Sequence, residues 1–382
     1  MSMDSWDRPL TRRSLIRGGA GLALGTSLGG ALSACGVGNQ SVKKSATEKH
    51  VRAKVDGDLV YFNWTEYLDP ALIKGFEKHY GVKVTQSNYD SMEGMMAKLN
   101  SGNVYDLIFP SAEYVDRLRK ANRLLQIDHT QLKNASEVFD FSPYFQNPWY
   151  DPQSAHSVPY AMYTTGIAWR ADKVSNMTGS WADLWDPQAK GKIFVLDDYQ
   201  EGVGMANLRN GFDLNTTDPD QLGKAQQLLI GQKPLLRGYS SDTITNMVSG
   251  NAWIQHIWNG DIVNVRNQVK HPENYKFELA KEGTPLGSDT FAIPTNAAHP
   301  GTALLFIDWM LDPAHAAKNI NWVGYPMPNK GGYPAFSALV KDEPSINVTV
   351  DQIQASDKYQ YRDLDRTGLT RWNDVWTAVK AA

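Results

Sequence analysis

The stretch 59-LVYFNWTEYLDPALIKGFEKHYGVKVTQSNYDSMEGMMAKLNSGNVYDLIF-109 decides the fold class. Leu59-Val60-Tyr61-Phe62 is an unbroken apolar run of strand-forming residues, the pattern of a short buried strand. Asp69-Pro70 then opens a helix, with the aspartate as N-cap and the proline at the first helical position, where its missing N–H costs nothing. Leu72, Ile73, Phe76 and Tyr80 recur at helical spacing, and Gly81 supplies the left-handed stop. Val82 to Val84 reads as the next strand, Met92, Met95, Met96 and Leu99 as one face of a helix, and Tyr105 to Phe109 as a third strand. A helix through Tyr114, Leu118 and Leu125 follows. The order βαβαβ predicts an α/β layer with a mostly parallel sheet.

Toward the C-terminus the alternation resumes near residue 164. A helix is expected around Trp181 to Trp185, a strand over Lys192 to Leu196, a helix from Gly202 and a strand over Ala252 to Ile257. Beyond Asp289 come the strand Thr290 to Ile293 and two helices, Gly301 to Leu311 and Pro313 to Trp322. At 382 residues, two domains are the natural division.

Toward the N-terminus the chain reads as an address rather than as fold. Arg12 and Arg13 in Thr11-Arg12-Arg13-Ser14-Leu15-Ile16-Arg17 form the pair of a twin-arginine export signal. An apolar stretch, Gly18 to Ala34, follows, too short and too glycine-rich for a membrane span. It runs into Leu32-Ser33-Ala34-Cys35, which resembles the lipobox of bacterial lipoproteins. Cys35 is the only cysteine in the chain. That rules out an internal disulfide and a cysteine-based zinc site. Residues 1–34 are therefore expected to be a signal peptide, and 35–56 a lipidated cysteine with a flexible, polar tether. The whole chain carries −3. The first 34 residues hold four arginines against two aspartates, so the remainder is more acidic still, which suits a cationic ligand and gives no nucleic-acid surface. The eight histidines are scattered without a metal-ligand spacing, and neither metal nor cofactor is expected.

In open α/β sheets ligands bind beyond the carboxyl ends of the strands. The segments there are Asn63-Trp64-Thr65-Glu66-Tyr67, Pro110-Ser111-Ala112-Glu113, Asp197-Asp198-Tyr199-Gln200-Glu201 and Trp258-Asn259-Gly260-Asp261. Asp289 stands just before a strand, and Gly324-Tyr325-Pro326 comes later. Aromatics and carboxylates thus occupy nearly every strand end, with no basic cluster and no glycine-rich phosphate cradle. This composition suits cation capture. An alkylammonium stacks on Trp or Tyr at about 0.5–2 kcal/mol per contact, each ammonium needs a charged acceptor, and methylenes need flat walls. Singly, each residue has a structural explanation as well. Trp64 and Trp258 fit a core, Ser111 and Asp198 fit helix N-caps, Glu201 fits a first-turn acid favoured by the helix dipole, and Asp261, Asp289 and Tyr325 fit turns. The joint pattern carries the functional reading.

At these residues the chain resembles the bacterial spermidine/putrescine-binding proteins of ABC importers. The matching stretches are Tyr61 to Tyr67, Tyr105-Asp106-Leu107 with Pro110-Ser111, Ser180 to Trp185, Asp197-Asp198 with Glu201, Ile257 to Gly260 and Gly324 to Asn329. They spread in family order over most of residues 58–330. The resemblance implies a two-lobed periplasmic-binding-protein fold with a hinged cleft. Lobe 1 would comprise residues 57–163 plus 289–345, and lobe 2 residues 164–288 plus 346–382. It implies that Trp64, Thr65 and Tyr67 form one wall, that Ser111 adds a polar contact, that Asp198 and Glu201 receive amines from the second lobe, that Trp258 gives a flat face, that Asp289 pairs with an amine and that Tyr325 closes the site. It also implies a permease and an ATPase as partners, an exported location and a monomer. Two positions depart from the family. Gly287 stands where the family carries an aromatic, and Glu113 where the spermidine binder has a tyrosine. Asp261 matches an acid of the putrescine-type relatives. Rival readings are a secreted glycosidase, which also pairs carboxylates with Trp, and a binder of another cation, a sugar or ferric ion. The adjacency of Asp197 and Asp198 works against both facing one substrate, and the loops lack the clustered Tyr or His ligands of a ferric site.

Overall fold

The computed structural model describes residues 51–355 and 357–382. The export signal with Arg12 and Arg13, Cys35 and most of the tether lie outside the described residues.

Strand β1, Leu59–Trp64, leads to helix α1, Pro70–Tyr80. The Asp69 carboxylate accepts from the Ala71 N–H, and Gly81 closes the helix at φ 68°, as its sequence signals predict. Strand β2, Val84–Tyr89, begins where it was expected to end, because its residues, VTQSNY, are polar and half exposed and give no apolar run. Helix α2, Met92–Asn100, is capped by Ser91 and buries Met92, Met95 and Leu99. Strand β3 is only Leu107–Ile108. Helix α3, Ala112–Lys120, stops short of Leu125, which pairs as extended backbone with Ile293.

The element that organises the molecule is β4, Ser157–Arg170, whose run SVPYAMYTTGIAWR carries no alternation and was not recognised as a strand. The remaining strands are β5, Ile193–Val195, β6, Leu236–Tyr239, β7, Ile254–Trp258, β8, Tyr275–Glu278, and β9, Leu286–Ala292. The order is β2-β1-β3-β9-β4-β7-β5-β6, with β8 also on β4. Pairing within each arm, β2-β1-β3 and β6-β5-β7, is parallel, and pairing at the centre, among β3, β9, β4, β7 and β8, is antiparallel. At about 3.3 Å per residue, β4 is long enough to serve both arms. Ser157 to Thr164 pair with β9, and Thr165 to Trp169 pair with β7. Pro159 cannot donate to the ladder, and a register shift between Pro159 and Ala161 absorbs it.

Two lobes result. In the first, the apolar cluster runs from Leu59 and Phe76 through Phe109 and Phe291 to Ile307 and Ile320, and continues under β4 to Ile257 and Phe277. In the second, Trp181, Val203, Leu229 and Trp372 form a separate core, completed by the C-terminal helix Arg366–Ala381. Trp181 to Trp185 is a 3-10 turn with a Ser180–Asp183 capping box rather than an α-helix. The helix expected from Gly202 starts at Tyr199, with Asp198 as its cap. Asp289 stands inside β9, opposite Ala161, and not in a loop before it.

Candidate functional site

The loop after β1 turns sharply at Glu66, φ 53°, and returns Tyr67 to the sheet. The Tyr67 hydroxyl donates to Asp289 Oδ2 at 2.9 Å, and Tyr160 donates to the Tyr67 carbonyl. Asn319 Nδ2 in turn donates to the Tyr160 hydroxyl at 2.8 Å. A buried chain from the helix Pro313–Val323 thus fixes the backbone of Tyr67, whose ring meets the rings of Tyr160 and Tyr325 edge-on, each at 5.3 Å. Ser111, at the N-cap of α3, bridges Asp289 through the backbone. Trp64 ends β1 and leans on Tyr89 at 4.7 Å.

From the second lobe, Asp198 Oδ1 accepts from the N–H groups of Gln200 and Glu201, at 2.8 and 3.1 Å. It is therefore both an N-cap and a wall of the cavity. Glu201 accepts from Thr165 at 2.8 Å, and His256 Nε2 stands 3.6 Å behind it. Trp258 ends β7 and caps the helix Asn259–Gln268. Asp261 has both oxygens engaged, one by the Tyr325 hydroxyl at 2.8 Å and the other by Thr243. Gly324, φ 80°, ends the preceding helix and delivers Tyr325 onto Gly260, where a Cβ would lie 2.1 Å from the ring.

These strand ends and loops enclose one cavity of about 750 Å³. Trp64, Thr65, Tyr67, Ser111, Glu113, Asp198, Glu201, Trp258, Asp261, Asp289 and Tyr325, the residues singled out in the sequence, all line it. Among the described residues eight carboxylates do so, Glu66, Asp90, Glu113, Asp198, Glu201, Asp242, Asp261 and Asp289, and no Lys, Arg or His does. Asp197 does not line it and pairs instead with Lys380. This removes the adjacent carboxylate pair that a glycosidase reading would use.

Sequence reasoning passed over Asp90, Asp242, Tyr163 and Tyr361, which also line the cavity. Asp90 directly follows β2 and Asp242 follows β6 within three residues. Both obey the strand-end rule, but β2 was placed too early and β6 was not seen. Tyr163 lies on the unrecognised β4. Tyr361 comes from the segment before the C-terminal helix, where nothing in the sequence points to a site.

Burial above all sets the protonation of three of these acids. Burial foremost pushes Asp289 up to about 7, against the stabilising Tyr67 hydroxyl. Burial, then the charges of Glu201 and Glu93, bring Asp198 to about 7. Burial foremost, with the charges of Asp289 and Asp198 adding to it, takes Glu113 to about 8. Glu113 also feels the charge of Asp198 across the cleft, and positive charge placed between these groups favours their ionised forms.

Fold and site together define a two-lobed binding protein with an acidic, aromatic-walled cleft. The chain belongs to the bacterial extracellular solute-binding protein family, whose model matches residues 71–348. It is 36% identical over 296 residues to the spermidine/putrescine-binding periplasmic protein of Salmonella typhimurium, covering 76% of this chain and 83% of that one. It is 35% identical over 325 residues to the protein of the same name from Escherichia coli, covering 84% and 88%. Among solved structures, the TpPotD lipoprotein of Treponema pallidum superposes with a TM-score of 0.74 at 26% identity, covering 84% of this chain and 98% of that one. Among the described residues no helix is long and apolar enough to cross a membrane, and no group of three or more His, Cys, Asp or Glu could hold a metal ion.

Proposed function

We propose that the protein captures a polyamine such as spermidine or putrescine in the interlobe cleft and delivers it to an ABC importer. The observation that carries this reading is the cavity lining, in which, among the described residues, eight carboxylates and several Trp and Tyr rings meet no basic side chain. A neutral solute leaves that charge uncompensated, and a single cation offsets a fraction of it. A chain of ammonium groups separated by methylenes places positive charge at several acids and apolar segments on the rings. The relatives' names point the same way.

Capture proceeds by hinge closure without chemistry on the ligand. The lobes are taken as residues 57–163 plus 289–345 and 164–288 plus 346–382, joined through β4 and β9. Ligand bridging Asp289 and Glu113 on one side and Asp198 and Glu201 on the other favours the closed form by its differential affinity. Export by the Arg12-Arg13 signal, acylation of Cys35 and a monomer that docks on a permease coupled to an ATPase complete the reading. It rests on the motif order for the first two and on the family for the rest. Calorimetric titration of the protein with spermidine, putrescine and a neutral sugar tests it. Tight one-to-one binding of a polyamine with none of the sugar is expected, and absence of binding by either amine overturns it.

A further inference from the structure

Gly287 sits in β9 directly opposite Tyr163 of β4. A Cβ on Gly287 would lie 2.5 Å from Tyr163 Cζ and 2.6 Å from its hydroxyl oxygen. The tyrosine ring therefore lies across the bare glycine backbone and fills the space that a side chain at 287 would take. Gly287 itself does not line the cavity, whereas Tyr163 does. Tyr67 and Tyr325 have their hydroxyls tied to Asp289 and Asp261. Among the described residues, the Tyr163 hydroxyl has no such carboxylate bond. Burial foremost, then the charges of Glu113, Asp289, Glu201 and Asp198, hold this hydroxyl well above the usual tyrosine range. The ring is thus surrounded by acids from both lobes.

We propose that Tyr163, laid over Gly287, is the central stacking wall of the cleft and a determinant of its amine specificity. The flat face stands on β4 and rests on the bare backbone of its neighbour β9. The glycine is what allows it. This inference rests on the polyamine reading, and titration of the unaltered protein separates the two.

With polyamine binding by the unaltered protein established, three variants test the wall. Tyr163→Leu keeps an apolar side chain but removes the π face, and should weaken polyamine affinity about tenfold in a protein that still folds. Tyr163→Phe keeps the face and should bind within about threefold of the unaltered protein. Gly287→Ala pushes the ring off its bed and should weaken binding although residue 287 does not touch the ligand. Unaltered affinity in Tyr163→Leu, or a loss in Tyr163→Phe as large as in Tyr163→Leu, overturns the proposal. If Tyr163→Leu does not fold, the other two decide: unaltered affinity in Gly287→Ala, or a tenfold loss in Tyr163→Phe, overturns it. Failure of the unaltered protein to bind any polyamine would instead overturn the functional reading beneath it.

Discussion

Arg117 Nε lies 2.8 Å from Asp363 Oδ1, joining α3 of the first lobe to the segment that precedes the C-terminal helix of the second. The same segment sets the Arg362 guanidinium 3.9 Å from the ring of Trp149 and accepts a hydrogen bond from Trp149 Nε1 at Gln360. These contacts clasp the lobes together beside the cavity, which Tyr361 of the same segment lines. Both members of the Arg117–Asp363 pair are partly exposed, so its contribution is in the surface range of about 0–1 kcal/mol. Asp363→Asn should therefore weaken ligand affinity by no more than about fivefold, and the difference from the unaltered protein should vanish at high salt. Titrations at low and high ionic strength check this. A salt-independent loss would show that Asp363 acts by some other route.

Three acids of the cleft make stability depend on pH. Asp289, Asp198 and Glu113 are raised by the fold to about 7, 7 and 8. Above the ordinary carboxyl range the folded state therefore holds more protons than the unfolded state, so stability falls as pH rises. The Tm of the ligand-free protein should fall between pH 5 and pH 8, as far as these groups govern it. A polyamine supplies the missing positive charge, so the Tm gain on binding should be larger at pH 8 than at pH 5. Scans with and without spermidine at the two pH values measure both trends.

Affinity should follow the same groups. Each carboxyl that must shed its proton to meet an ammonium costs about tenfold in affinity per pH unit below its pKa. Binding should weaken at least about tenfold from pH 8 to pH 6 and should release protons. Calorimetry in two buffers of different ionisation enthalpy counts those protons. A heat independent of buffer would mean that the acids are already ionised in the empty cleft.

Asp289 and Asp261 line the same cavity but should respond differently to substitution. Asp289 has one oxygen held by Tyr67, and among the described residues no side chain hydrogen-bonds the other. Asp289→Asn should weaken amine binding by about ten- to a hundredfold, the range of a lost charged hydrogen bond. Its ligand-free Tm at pH 8 should stay the same or rise, because a buried unpaired charge is removed.

Asp261 has no oxygen to spare. Asp261→Asn should leave affinity within about threefold, whereas Asp261→Ala strands two hydroxyls at a cost of about 1–3 kcal/mol and frees Tyr325. A double-mutant cycle with Tyr325→Phe should show coupling between the two positions. Additive losses would place Asp261 in direct contact with the ligand instead.

The parts of the fold that could be read from the chain are those where a local rule suffices. Asp69, Pro70 and Gly81 fix α1 through capping chemistry alone, and Met92, Met95 and Leu99 fix α2 by spacing. The strands missed or misplaced are those whose evidence lies elsewhere in space. β2 is polar because it is half exposed, and β4 lacks alternation because both its faces are buried. The site was legible wherever a strand end was correctly placed, which is why Trp64, Asp198 and Trp258 were found while Asp90 and Asp242 were not. Asp289 was found because it was placed just before the strand Thr290 to Ile293, although it sits inside β9. Tyr361 was beyond reach, because a tertiary contact and no local pattern brings it to the cleft.

The long strand β4 has a further consequence, which concerns the order of synthesis. Its partners β7, β8 and β9 all follow it in the chain. As the polypeptide emerges from its N-terminus, the stretch from Ser157 to Arg170 must wait, with its ladder groups unmatched, until β7 and then β9 are made. An apolar strand left waiting invites pairing with other chains. The nascent protein is therefore most prone to aggregation between completion of β4 and arrival of β9, a period in which a chaperone that shields extended apolar segments has the most to protect.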